Sequence, residues 1–288
     1  MTQAAAAVER EFGTPPVLAV SFRQLRQHPG LAFRLLLRRF DVAVAYLMDI
    51  EVPLYRDFFL AYLFTLRAGR KALRDPHGRE IPVGWREGLQ AVGHCVADLI
   101  GFPVVYLLAR WKARALSRAR PRRQPSCLLL RRVAYLRANP WQESQAGGSL
   151  AHATGVLTGL KAAGVDVTYI GTTEFPPALR LGLRTWVVPA RLRWFRNLLP
   201  FLVYGEIFGR RSSALLAAEP PDFVYQRYSL LNYSGAEVAG RLRCPFVLEY
   251  NGSEVWIARN WSTPLFFEGL ADRIEQANLR AADLTVVV

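Results

Sequence analysis

From about residue 126 onward, short β-branched apolar runs alternate with longer segments of helical spacing, and few folds accommodate that order. Val133 to Leu136, Val165 to Ile170, Phe223 to Gln226, Phe246 to Tyr250 and Leu284 to Val288 read as strands. Leu150 to Ala163, Gly235 to Leu242 and Arg273 to Ala282 read as helices between or beside them. Strands joined by helices through short loops lie parallel, because parallel neighbours need a crossover connection. The expected fold class is therefore α/β, with a parallel sheet carrying helices on both faces. In such a sheet, ligands bind at the carboxyl ends of the strands. The strand-end loops are 137–149, 171–174, 226–232 and 249–254.

The 288 residues suit about two domains. The charge, 37 Lys and Arg against 23 Asp and Glu, places the boundary. Residues 1–125 hold 20 basic and 10 acidic side chains, whereas residues 126–288 hold 17 and 13. The run RWKARALSRARPRRQ has seven basic residues and no acid, which marks residues 109–125 as a basic linker. It reads either as a solvated connector or as a segment drawn to anionic phospholipid. Nucleic acid is disfavoured as a partner, since no binding motif accompanies the charge. Residues 1–16 read as a disordered tail: Glu9 and Glu11 fall where a secretory signal would need an apolar core, which favours the cytoplasm.

Residues 17–108 show apolar positions at three- and four-residue spacing in Leu31 to Arg39, Tyr55 to Leu73 and Gly88 to Ala115, so this part reads as mainly helical, of unknown role. The longest apolar stretches, Phe58 to Leu66 and Leu99 to Ala109, fall short of the roughly 20 residues of a bilayer span. Cys95, Cys127 and Cys244 are widely separated and have no second Cys or His at ligand spacing, which argues against a disulfide framework or a metal site.

Gly147, Gly148 and Ser149 lie in the loop before the first helix of the second region, where paired glycines let backbone N–H groups approach an anion. His152 falls in the first turn of that helix and reads either as a packing residue or as a ligand contact. Arg227 ends the strand before YSLLN, where it can hold a phosphate or pair with a nearby acid. Glu249, Asn251 and Glu254 in EYNGSE occupy the next strand end, although Asn251-Gly252 also suits a plain turn.

The stretches VAYLRANPWQESQAGGSLAHATGVLTGLKAAGVDVTYI, PDFVYQRYSLLNYSGAEVAGRLRCPFVLEYNGSEVW and RIEQANLRAADLTVVV, spanning residues 131–288 with gaps, resemble the amino-terminal domain of the family-four retaining glycosyltransferases. The resemblance implies the first, acceptor-binding, Rossmann-like half of a GT-B fold, here residues 126–288. It implies a nucleotide sugar as co-substrate, a glycan or lipid-linked acceptor, and no metal or other cofactor. Gly147, Gly148 and Ser149 would meet the donor phosphates. His152, Arg227, Glu249, Asn251 and Glu254 would line the acceptor cleft, and no catalytic nucleophile is assigned. Family members carry a second, donor-binding domain with an E-x7-E carboxylate pair. The chain ends at Val288 without one, so the expectation is a truncated transferase with little activity alone. A non-enzymatic glycan- or lipid-binding or membrane-docking module is the alternative, and under either reading the expected location is the cytoplasm or, peripherally, the inner face of the cell membrane.

Overall fold

The computed structural model describes residues 9, 18, 20–47, 50, 53–118, 131–139, 148–190, 199–261, 265 and 267–287. All but Glu9 of the expected tail, and residues 119–125 of the expected linker, lie outside that set. The chain divides into two compact units, one up to Ile100 and one from Gly101 onward.

The first unit opens with α1 (Phe22–Gln27), whose amino end is closed by a capping box between Ser21 and Gln24, and α2 (Pro29–Leu37). Strand β1 (Arg39–Tyr46) runs through α3 (Pro53–Thr65) into β2 (Arg67–Arg74), which lies parallel to it. The short β3 (Glu80–Pro82) pairs antiparallel with β2. Helix α4 (Trp85–Leu116) follows. Leu35, Leu60, Leu63, Leu66, Leu73 and Ala91 form the core of this unit.

Helices still dominate the first unit, but the wholly helical pattern expected for Tyr55 to Leu73 is corrected: the helix stops at Thr65 and β2 begins at Arg67. In RAGRKALR, Arg67 and Gly69 are exposed while Ala72 and Leu73 are buried, so one strand end is wet and the other dry. That gradient hides the period of two. The linker reading is corrected as well. Residues 109–116 are the last two turns of α4, built from Ala, Arg, Lys and Leu, which are strong helix formers, with Ala109 and Ala113 buried.

The second unit is a six-stranded, wholly parallel sheet. Its strands are β4 (Arg132–Arg137), β5 (Asp166–Gly171), β6 (Arg184–Val187), β7 (Phe223–Arg227), β8 (Phe246–Tyr250) and β9 (Leu284–Val287), in the spatial order β6-β5-β4-β7-β8-β9. This is the doubly wound arrangement, in which the winding direction reverses between β4 and β7. The connecting helices are α5 (Gly148–Ala162), α6 (Pro176–Arg180), α7 (Leu199–Leu216), α8 (Ser234–Leu242), α9 (Glu254–Trp261) and α10 (Glu268–Ala281).

Alternate residues of each strand feed two separate cores, which places helices on both faces as the sequence predicted. Val133, Tyr135, Val167, Tyr169, Phe223 and Tyr225 pack with Ala153 and Leu157 of α5 and with α6. Ala134, Leu136, Val224, Phe246 and Leu248 pack with α7 and α8. On the α5 face, Tyr135 stacks on Tyr169 and Tyr225 with ring centroids 6.0 and 5.2 Å apart, and Tyr169 stacks on Phe175 at 5.3 Å. On the α8 face the fit is close. A methyl group added at Gly235 would stand 2.1 Å from Gln226 Oε1, so only glycine lets the first turn of α8 approach β7.

Candidate functional site

Because the sheet is parallel, its carboxyl-end loops gather at one rim, and the reversal between β4 and β7 opens a crevice there. Buried bonds hold that crevice's walls together. Ser229 Oγ donates to the Ala138 carbonyl at 2.8 Å, joining the loop after β7 to the end of β4. Gln226 Nε2 and the backbone N–H and hydroxyl of Ser234 all donate to Asn232 Oδ1, at 3.0, 2.8 and 2.6 Å. Leu231, fully buried in this loop, takes a left-handed backbone (φ 57°), a conformation that costs a non-glycine residue about 1 kcal/mol or more and persists only because the loop is so tightly bonded.

Beside the crevice, on the α5 face, three of the expected residues converge on the carboxylate of a fourth, Glu249. Glu249, at the end of β8, is fully buried. Its Oε1 accepts from Arg227 Nη1 at 2.8 Å and from Asn251 Nδ2 at 3.3 Å, and its Oε2 accepts from the Tyr225 hydroxyl at 2.9 Å. His152 Nε2 stands 3.1 Å from Oε1 without hydrogen-bond alignment. Register explains the meeting: Arg227 pairs with Glu249 across β7 and β8, so both side chains leave the same face, and His152 sits over it in the second turn of α5. The Arg227 and His152 side chains keep 18% and 29% of their surface exposed and Asn251 is exposed, so these three are the groups of this cluster that a ligand can reach.

Glu254 opens α9 beyond Asn251. Its backbone N–H donates to the buried Glu275 at 3.0 Å, and Glu275 also accepts from the Tyr250 hydroxyl at 2.8 Å. Burial raises the Glu254 carboxyl above the usual range; the Glu275 charge adds to the rise and Arg227 opposes it. A carboxyl raised in the native state binds more protons there than in the unfolded chain. The stability it contributes is therefore full at pH below its unfolded value and falls as pH rises through the native one. Glu254→Gln removes that loss. It is expected to raise the melting temperature at pH 7 and to leave it unchanged near pH 4, as followed by circular dichroism; an equal shift at both pH values would contradict the assignment.

Gly147 lies outside the described residues. Gly148 is the first residue of α5, with open space where a side chain would be. The Ser149 hydroxyl accepts from Arg137 Nη2 at 3.3 Å. Arg137 was not singled out from the sequence. It ends β4 nearly buried, with its guanidinium 4.7 Å from the Phe175 ring centroid, and it adds positive charge to the start of α5. Its position as the last residue of a strand facing a glycine loop was the available signal. Tyr225 and Glu275 were also missed, because each acts through a partner more than twenty residues away. Among the described residues no group of three or more His, Cys, Asp and Glu side chains is placed to hold a metal ion.

Polar side chains gathered at the carboxyl rim of a doubly wound sheet define an α/β protein whose candidate site lies at its strand ends. Residues 147–288, 142 of the 288 and just under half of the chain, match the family described as Glycosyl transferase 4-like domain. Among solved structures, the chain is similar to Acinetobacter baumannii MurG at 14% identity, over 55% of this chain and 41% of that one, with a TM-score of 0.37. The chain thus spans about two fifths of the length of that protein. No curated protein matches.

Proposed function

We propose that the second unit is the acceptor-binding half of a retaining glycosyltransferase, which takes a sugar from a nucleotide donor and passes it to a hydroxyl of a glycan or lipid-linked acceptor. The family match of residues 147–288 supports the transferase class, and the convergence of Arg227, His152 and Asn251 on the buried Glu249 carries the site. In that reaction the bond from the anomeric carbon to the diphosphate breaks, a bond to the acceptor oxygen forms on the same face, and the acceptor proton passes to an oxygen of the departing diphosphate. The N–H groups at the start of α5, with Arg137 beside Ser149, are placed to meet negative charge growing on the departing phosphates. Arg227 and His152 present donors to sugar hydroxyls. Glu249, its oxygens occupied by Tyr225, Arg227 and Asn251, fixes those donors rather than touching the sugar. The described residues build one six-stranded lobe. Transfer calls for a second, donor-binding lobe, so acceptor binding is the activity this unit carries by itself.

Titration calorimetry with UDP-glucose, GDP-mannose, short oligosaccharides and a polyprenyl-phosphate sugar tests the reading. Saturable binding of one acceptor is expected, and His152→Ala should weaken it about tenfold, the value of one hydrogen bond to a sugar. A folded chain that binds none of these probes, or a His152→Ala variant that binds as tightly as the parent, would overturn it. Where turnover is obtained, the anomeric configuration of the product by NMR decides between retention and inversion.

A further inference from the structure

The 32 residues of helix α4 carry apolar side chains on every side. Leu99, Ile100, Phe102, Val104 and Val105, at about 100° per residue, are spread around its whole circumference. A helix that is apolar all round belongs either in a large protein core or in a bilayer. Burial decides between the two. Over residues 92–108 no residue whose side chain is described is buried, and Leu99, Ile100 and Val104 keep 69–74% of their surface. Protein touches this stretch on one side only: Phe102 and Tyr106 meet the Phe267 ring at 4.6 and 5.5 Å, and His94 Nδ1 lies 2.8 Å from Asp57 Oδ2. The helix begins at Trp85, far past the roughly 15–30 residues of a secretory leader.

The uninterrupted apolar runs of this region are short, but the helix joins them into one segment long and apolar enough to cross a membrane. Residues 88–109 are 22 residues with Asp98 as the one charge, about 33 Å of helix against about 30 Å of hydrocarbon. Ten of them are Leu, Ile, Val or Phe, enough to offset one Asp on the scale of membrane insertion. Gly93, Gly101 and Pro103 weaken a helix in water but are frequent in bilayer helices. Trp85 and Trp111, both exposed, stand about 39 Å apart at the two ends, where aromatic side chains sit among the head groups. The flanks differ in charge: residues 110–125 hold seven Lys and Arg, and residues 72–87 hold three. Such an excess stays on the cytoplasmic side of a bilayer.

We propose that α4 crosses a lipid bilayer through residues 88–109, with its carboxyl-terminal end on the cytoplasmic side. The proposal does not rest on the transferase reading, and its test reads no activity. The full chain is expressed in bacteria and the membranes are washed with alkaline carbonate, which strips proteins held only at the surface. The chain is expected to stay in the pellet and to dissolve in mild detergent. Leu99→Lys combined with Leu107→Lys puts two charges where hydrocarbon would lie and should lower the carbonate-resistant fraction about a hundred-fold. Leu179→Lys, at an exposed apolar position on α6, should leave that fraction unchanged. With the three native cysteines replaced by alanine, Arg86→Cys should react with a membrane-impermeant maleimide from outside the cell, and Ala115→Cys only in inverted vesicles. Arg86 and Ala115 are exposed, and circular dichroism in detergent verifies that the variants fold. Release by carbonate, a pellet that detergent does not dissolve, an unaffected double lysine variant, labelling of both cysteines from one side, or labelling of Ala115→Cys from outside would each overturn the proposal.

Discussion

Replacing Glu249 with alanine is expected to destabilise the second unit by about 3–5 kcal/mol, the range for removing one partner of a buried ion pair. The carboxylate is fully buried and accepts three hydrogen bonds. Its loss strands the Arg227 guanidinium and the Tyr225 hydroxyl together. Urea denaturation should show the midpoint falling with the slope unchanged. Glu249→Gln keeps the shape and one acceptor, so it should cost less than the alanine variant while still loosening Arg227. A Glu249→Ala chain as stable as the parent would show that the cluster is not held by this carboxylate, and the proposed site would go with it.

The second large effect belongs to Lys112. Its ammonium lies 2.5 Å from Glu206 and 2.6 Å from Glu237, with all three side chains 12–13% exposed, and the Tyr233 hydroxyl donates to Glu206 at 2.7 Å. One cation here separates two carboxylates. Lys112→Met leaves them facing each other without it, and a loss of about 3–5 kcal/mol is expected. The triple variant Lys112→Met, Glu206→Gln, Glu237→Gln should recover most of that loss, since neutral groups of like shape replace a buried charge network at little net cost. If the triple variant stays as weak as the single one, apolar packing of the lysine stem, not charge, holds α4 in place.

The sheet of the second unit was largely legible because buried parallel strands write themselves as apolar runs. Phe246 to Tyr250 is read to the residue, and Phe223 to Gln226 falls one short at Arg227. Strand β6 has a weak signal: Arg184–Val187 is a four-residue edge strand with Arg184, Trp186 and Val187 exposed, and its apolar run is only Trp186 to Val188 before Pro189. The rule that ligands sit at strand ends pointed to Arg227, Glu249 and Asn251. It could not show that Glu249 would be buried beneath the other two, because burial depends on the helix packed above. The pairing of His94 with Asp57 leaves no local signal for a related reason, since Asp57, 37 residues earlier, faces it only once α3 and α4 pack. In and just after α3, Leu60, Leu63 and Leu66 take the core, while Phe58, Phe59 and Tyr62 are half-buried.

The ring stack across β5, β4 and β7 carries an optical consequence. Burial holds the phenols of Tyr135 and Tyr225 above their ordinary ionisation range, with the Glu249 charge adding to the rise, and burial does the same for Tyr204, Tyr228 and Tyr233. In alkaline solution these five become phenolate only as the sheet comes apart. Ultraviolet absorbance of phenolate is thus an intrinsic dye for the integrity of the sheet and the cores on both its faces, readable without any label.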